Sequence, residues 1–223
     1  MVLYLIAPGQ TDPDTGALTC TGRQQAQKLK DRLSVYGIDR IFTSPEIAAR
    51  QTAKVCCDAF SLTAETENWM DARTVSAFSA YRQLPRAALY QEDNCLHRSN
   101  WYRAPLFGGD SAVREAFDGL AAASDAFLLS LGFERTAGVY RSTGVCPDRA
   151  AVFCRPELST LWLAHLLSLA PQILWRILPS VPDTGYHVVH FEPDASGFCP
   201  PRCLQMGVTP HLYEREGAIC SCI

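Results

Sequence analysis

Five histidines and ten cysteines hold most of this chain's capacity for nucleophilic, acid–base or metal chemistry. Their spacing asks little of them. His165 lies four residues from both Leu161 and Leu169 in an apolar helical pattern, where a histidine is a satisfied core residue before it is a base. His187 and His190 flank Val188-Val189, and three residues along a strand sends them to opposite faces. His211, in Pro210-His211-Leu212, reads as structural, and no carboxylate or cysteine is placed beside any histidine by spacing. Among the cysteines, Cys56-Cys57 are adjacent, Cys154 ends an apolar run, and Cys199-x3-Cys203 and Cys220-x-Cys222 lie near the end. None forms the repeated C-x2-C pairs of a zinc ribbon, so no metal and no cofactor is expected. Reduced thiols packing as small hydrophobes are the expectation.

The elements that must position these groups follow from periodicity. Val2 to Ile6 is a short β-branched and aromatic run that reads as a buried strand. Ala26, Leu29, Leu33 and Tyr36 recur at helical spacing within Thr21–Tyr36, and Gly37 stops that helix. Arg40 to Ser44 is a second strand, followed by a helix with Ser44 as candidate N-cap and Pro45 in its first turn. Between Leu62 and Leu106 the pattern weakens, with Trp69, Tyr81, Tyr90 and Trp101 scattered and Pro85 and Pro105 as punctuation. Gly108-Gly109-Asp110-Ser111 then reads as a turn and cap before a long helix, Ser111 to Leu131. Arg149 to Cys154 is a third strand, Ser159 to Leu169 a helix stopped by Pro171, and His187 to Phe191 a last strand before an irregular tail. Strands alternating with helices predict an α/β fold with a mainly parallel sheet.

At 223 residues the chain is expected to form one domain over residues 1–223. A net charge of −3 gives no basic field for nucleic acid or a membrane surface. No uninterrupted apolar stretch reaches membrane-spanning length, since Leu158–Leu178 is broken by His165, Pro171 and Arg176. Met1 to Ile6 is too short for a signal-peptide core, so a cytoplasmic location is the default expectation.

Two stretches carry a resemblance. Leu18-Thr19-Cys20-Thr21-Gly22-Arg23-Gln24-Gln25-Ala26 and Ser44-Pro45-Glu46-Ile47-Ala48-Ala49-Arg50-Gln51-Thr52-Ala53 resemble the histidine phosphatase (phosphoglycerate-mutase-like) superfamily. That family writes Leu-Thr-x-x-Gly-x-x-Gln-Ala and Ser-Pro-x-x-Arg-Ala-x-Gln-Thr-Ala, and before the first of these Arg-His-Gly-x-Thr, of which Gly9 and Thr11 remain. The resemblance implies a three-layer α/β/α sandwich, with residues 62–110 as a cap-like insertion shaping substrate choice. It also implies a reaction: a neutral histidine takes a phosphoryl group, two arginines and a second histidine neutralise its oxygens, and a carboxylic acid protonates the leaving oxygen.

The positions that would carry this reaction are changed. Ala7 and Pro8 stand where the first arginine and the nucleophile belong, and Pro8 has no ionisable atom. Ala48 replaces the second arginine, and Arg50, about 200° around the helix, leaves from nearly the opposite face. Arg155 follows the third strand where the second histidine belongs, and either Asp71 or Ala72 stands at the acid position. Losing a covalent nucleophile costs on the order of 10⁶ in rate. The resemblance therefore implies a degenerate member, a pseudophosphatase binding an anionic or phosphorylated small molecule or a protein partner. Gln10, Thr11, Ser44, Arg155 and Glu157 are its candidate ligand-binding residues, expected to form a weakly cationic pocket. The alternatives are an enzyme with repurposed chemistry around Glu157, Asp71, Cys154 and Arg155, or an inactivated variant of a phosphomonoesterase.

Overall fold

The computed structural model describes residues 1–82, 100–104, 106, 107, 109–136, 138–144, 146–178 and 180–213. Residues 83–99 of the cap-like insertion, with Pro85, Tyr90 and His97, lie outside the described residues. So do Pro105, Gly108 and the Cys220/Cys222 pair.

The strands are β1 (Val2–Ile6), β2 (Arg40–Thr43), β3 (Ala64–Thr66), β4 (Phe133–Thr136), β5 (Val139–Ser142), β6 (Arg149–Phe153), β7 (Tyr186–His190), β8 (Phe198–Cys199) and β9 (Arg202–Val208). The helices are α1 (Cys20–Ser34), α2 (Ile47–Phe60), α3 (Ser79–Arg82), α4 (Ser111–Ser130), α5 (Pro156–Leu166) and α6 (Pro171–Ile177). Six strands form one sheet in the order β3-β2-β6-β1-β7-β9. Its first four strands are parallel, and β7 runs antiparallel to both β1 and β9. This is the α/β fold with a mostly parallel sheet that the alternation of strands and helices predicts.

Alternation along β1 and β6 explains the layers. Tyr4, Ile6, Ala151 and Phe153 pack with Leu29 and Leu33 of α1 and Ala49, Ala53 and Cys56 of α2. Leu3, Leu5, Ala150 and Val152 face the other way, toward Leu120 and Phe127 of α4 and Leu161 and Trp162 of α5. Both faces are covered, so these strands read as continuous apolar runs. Within the described part of 62–110, 3₁₀ turns at Asn68–Met70, Ala72–Phe78 and Trp101–Arg103 pack rings together, with Trp101 against Phe78, Phe107 and Phe117.

Four expectations are corrected. Ser44 does not cap α2; the chain bends at Pro45 and Glu46 and the helix starts at Ile47, with Glu46 at the cap position. α5 begins at Pro156 rather than Ser159, and Pro171 opens α6 as well as ending what precedes it, because proline is preorganised for a first helical turn. The tail beyond Phe191 is not irregular: β9 extends the main sheet beside β7, and β8 joins the hairpin β4–β5 in a second, three-stranded sheet. None of the seven cysteines among the described residues is bonded to another. No single helix among them is long and apolar enough to cross a membrane.

Candidate functional site

The loop after β1 is held by backbone contact. A Cβ added at Gly22 would lie 2.2 Å from the Gln10 carbonyl oxygen, and one at Gly9 2.4 Å from the Gly22 carbonyl oxygen. Only glycine lets these two segments meet. Thr19 caps α1 by accepting from the Gly22 N–H, and its own hydroxyl donates to Gln10 Oε1 at 2.7 Å. Gln25 Oε1 accepts from the Gln10 N–H and Gln51 Oε1 from the Leu18 N–H, both at 2.7 Å. Thr52, fully buried, accepts from the Gly9 N–H at 3.1 Å and donates to the Ala48 carbonyl. Thr19, Gly22, Gln25, Gln51 and Thr52 of the two motifs are thus fasteners of the loop.

That loop forms one wall of a cavity of about 430 Å³, lined by Pro8, Gly9 and Thr11 after β1, Pro45, Glu46 and Ala48 after β2, Arg155, Pro156 and Glu157 after β6, and Asp183 just before β7. Because β7 is reversed, its start lies at the same edge as the carboxyl ends of the parallel strands, where α/β folds place ligands. Thr184 donates its N–H to the Pro8 carbonyl, and Ala7 donates its N–H to Gly185, which ties the Asp183 turn to the loop. A second chamber of about 260 Å³ adjoins the first across Arg155 and Glu157, with Ala72, Arg73, Val75, Ser76 and Ser79 as its remaining lining.

The structure brings together Pro8, Thr11, Ala48, Arg155 and Glu157, and leaves out the other predicted residues. Ala7 is buried under the loop rather than lining the cavity. Gln10 is exposed and committed to Thr19 and Gln25. Ser44 is fully buried, outside the lining, and its hydroxyl has no hydrogen-bond partner. Asp71 accepts from the Arg73 backbone N–H at 2.8 Å and from its side chain at 2.9 Å. The Arg73 hydrogen bonds hold its carboxyl below the usual range, the opposite of what protonating a leaving oxygen requires. Ala72 lines the second chamber and has no proton to give.

The expected weakly cationic pocket is also corrected. Glu46, Glu157 and Asp183 face the cavity against a single guanidinium, Arg155, whose Nε lies 3.4 Å from Glu46 Oε1. Glu46 is readable as the residue after the Ser-Pro pair, but nothing in the sequence signals that Asp183, 137 positions further on, lines the same cavity. Cys154 is fully buried at the end of β6, and burial, with Glu46 and Glu157 nearby, pushes its thiol well up. Such a thiol supplies no thiolate for attack.

None of the four described histidines lines the cavity. His187 is buried and accepts from the Gly207 N–H through Nδ1, leaving Nε2 to face the Ser159 hydroxyl; burial lowers it to about 4. His190 sits at the surface 3.9 Å from Glu192. His165 does have a carboxylate beside it: Nε2 is 2.7 Å from Asp125 Oδ1, which also accepts from Tyr140, while Arg135 contacts both rings. This knot of α4, the β4–β5 hairpin and α5 lies about 13 Å along α5 from Pro156. His211 Nε2 contacts Thr184 Oγ1 at 2.8 Å and so braces the Asp183 turn, and burial lowers it to about 4.

Residues 5–115 match the sequence profile of the histidine phosphatase superfamily (branch 1). The chain belongs to that superfamily. Among solved structures, it is similar to the phosphoserine phosphatase of Entamoeba histolytica in complex with 3-phosphoglyceric acid, at 17% identity and a TM-score of 0.60, covering 95% of this chain and 99% of that one. It is also similar to a mycobacterial glucosyl-3-phosphoglycerate phosphatase, at 20% identity and a TM-score of 0.59, covering 91% and 96%. The same phosphatase with inorganic phosphate gives 17% identity, a TM-score of 0.55 and coverage of 95% and 99%. No curated protein sequence matches. At these identities the histidine phosphatase likeness concerns the fold, and the differences in the cavity must be read from its own side chains.

Proposed function

We propose that this chain is a histidine phosphatase relative without phosphohistidine chemistry, a pseudophosphatase whose cavity binds rather than turns over its ligand. One observation carries the reading: the loop after β1 brings proline, not histidine, to the cavity wall. Pro8 has no lone pair to attack phosphorus, and its carbonyl is engaged by the Thr184 N–H. Ala48 supplies no charge to phosphoryl oxygens, and Arg155 is shared with Glu46. Three carboxylates around the cavity would raise, not lower, the energy of a phosphoryl group gaining negative charge. Asp71, held ionised by Arg73, cannot donate the proton that the leaving oxygen needs.

Hydrolysis assays with p-nitrophenyl phosphate, phosphoserine and 3-phosphoglycerate test the proposal, the last two because a protein of this fold is a phosphoserine phosphatase seen in complex with 3-phosphoglyceric acid. The expected result is no release of phosphate above buffer. Turnover comparable to that of an intact relative, or an acid-labile phosphoenzyme, would overturn it.

A further inference from the structure

Outside the cavity, two thiols converge on one serine. Cys199 opposes Tyr140 where β8 pairs with β5. Cross-strand partners share a sheet face, and Ser142, two residues along β5 from Tyr140, lies on that face too. The Cys199 thiol stands against the Ser142 backbone N–H: burial pushes it up, this N–H pulls it back, and the nearby Cys146 sulfur adds to the rise. Cys146 Sγ lies 3.6 Å from Ser142 Oγ and donates to the Gly132 and Gly144 carbonyls at 3.6 and 3.5 Å. Both side chains pack on the same hydrophobic core. They differ in access, since Cys199 is fully buried and Cys146 is partly exposed. Cys146 also sits in a loop rather than a strand, so its backbone can shift to disulfide distance, with Cα atoms within about 7 Å, without breaking a ladder. Cys56 and Cys57 have no such option, because consecutive positions of α2 point about 100° apart. A staple would count at β8, which is two residues long and pairs with β5 through Cys199 and Phe198. Pro200 and Pro201 alone join it to β9 at the edge of the main sheet.

We propose that Cys146 and Cys199 form a reversible disulfide on oxidation by a hydroperoxide, a redox-sensitive staple between the loop after β5 and β8. The exposed partner reacts first. The Cys146 thiolate attacks a peroxide oxygen, the O–O bond breaks, and a sulfenic acid and water (or an alcohol) result. The Cys199 thiolate then attacks the sulfenic sulfur; the S–S bond forms, the S–O bond breaks, and hydroxide leaves as water with the released proton. Two thiols lose two electrons and two protons, and the peroxide takes up both. Burial of Cys199 makes the second step the slow one. The staple owes nothing to the cavity, so it stands or falls apart from the reading given above.

Peptide mass mapping of the full chain tests the inference, after hydrogen peroxide treatment and blocking of the remaining thiols with N-ethylmaleimide. The Cys146–Cys199 crosslink is expected as the first disulfide to form, and dithiothreitol should reverse it. The oxidised protein should melt about 5 °C or more above the reduced one, because the bond closes a long loop in the unfolded chain. Cys146→Ser should lose both the crosslink and the shift while its reduced form melts like the reduced parent, and this variant spares the buried Cys199. A parent protein in which both thiols stay free under peroxide overturns the proposal. So does an earlier crosslink of either cysteine to another, such as Cys199 to Cys203. A crosslink that forms but lowers the melting temperature, or an undiminished shift in Cys146→Ser, overturns the staple as well.

Discussion

The fasteners of the loop and the lining of the cavity meet at the same strand ends, yet they are built to different standards. Gly9, Thr19, Gly22, Gln25, Gln51 and Thr52 each close a named backbone contact or hydrogen bond. Ala7, Pro8, Ala48 and Arg155, where the resemblance would place the groups of a phosphohistidine reaction, close no such hydrogen bond with their side chains. The fold depends on the first set whatever the chemistry. The second set gives the loop no side-chain hydrogen bond, although Ala7 and Ala48 are themselves buried.

Substitutions can break this contrast. The largest effect is expected at Gly22→Ala, whose methyl would meet the Gln10 carbonyl at 2.2 Å, with backbone on both sides. A loss of about 3 kcal/mol in chemical denaturation follows from overpacking that cannot relax. A loss under about 0.5 kcal/mol would mean that the loop is not clamped as described.

A comparable effect is expected from acid. His187 titrates near 4 when folded and near 6.5 when unfolded, so below pH 6.5 the unfolded chain binds a proton that the folded protein lacks. Stability is complete above about pH 6.5, falls as pH drops toward 4, and levels off below. The loss for His187 is about 3 kcal/mol, and the less buried His211 adds in the same direction. Denaturant midpoints taken between pH 7 and 4 check this, and His187→Asn should flatten the curve. A flat curve in the parent protein would count against a buried neutral imidazole.

Thr52→Val sharpens the contrast at a single hydrogen bond. It leaves the Gly9 N–H buried without an acceptor and should cost about 1–2 kcal/mol. Glu46→Gln, on the cavity side, is expected to be neutral or stabilising by up to about 1 kcal/mol, since it removes a shielded charge without donors. If Glu46→Gln proved as damaging as Thr52→Val, the cavity lining would be scaffold too.

How much of this was legible depended on the range of the interaction. The short apolar runs of β1, β2 and β6 and the periodicity of α1 and α4 are local signals, and they stand where the pattern puts them. β9 was not legible because Arg202 to Val208 is only partly buried at a sheet edge and lacks alternation. The β4–β5 hairpin escaped for the same reason of shortness. Ser44 has the letter of a cap, but two more residues intervene, and it is a cavity-side residue, Glu46, that takes the cap position. His165 looked alone, since Asp125 lies 40 positions away on another helix.

From the sequence by itself came the frame and the proline that stands where the resemblance would place a nucleophile. Glycine spacing, threonine caps and the identity of residue 8 are properties of single positions, and no tertiary arrangement can give proline an imidazole. Only the tertiary structure decided the sign of the cavity. Glu46, Glu157 and Asp183 come from three different strand ends, and their convergence is a consequence of strand order and of the reversal of β7. Charge in a cavity is a sum over neighbours in space, and that sum is fixed when the sheet closes.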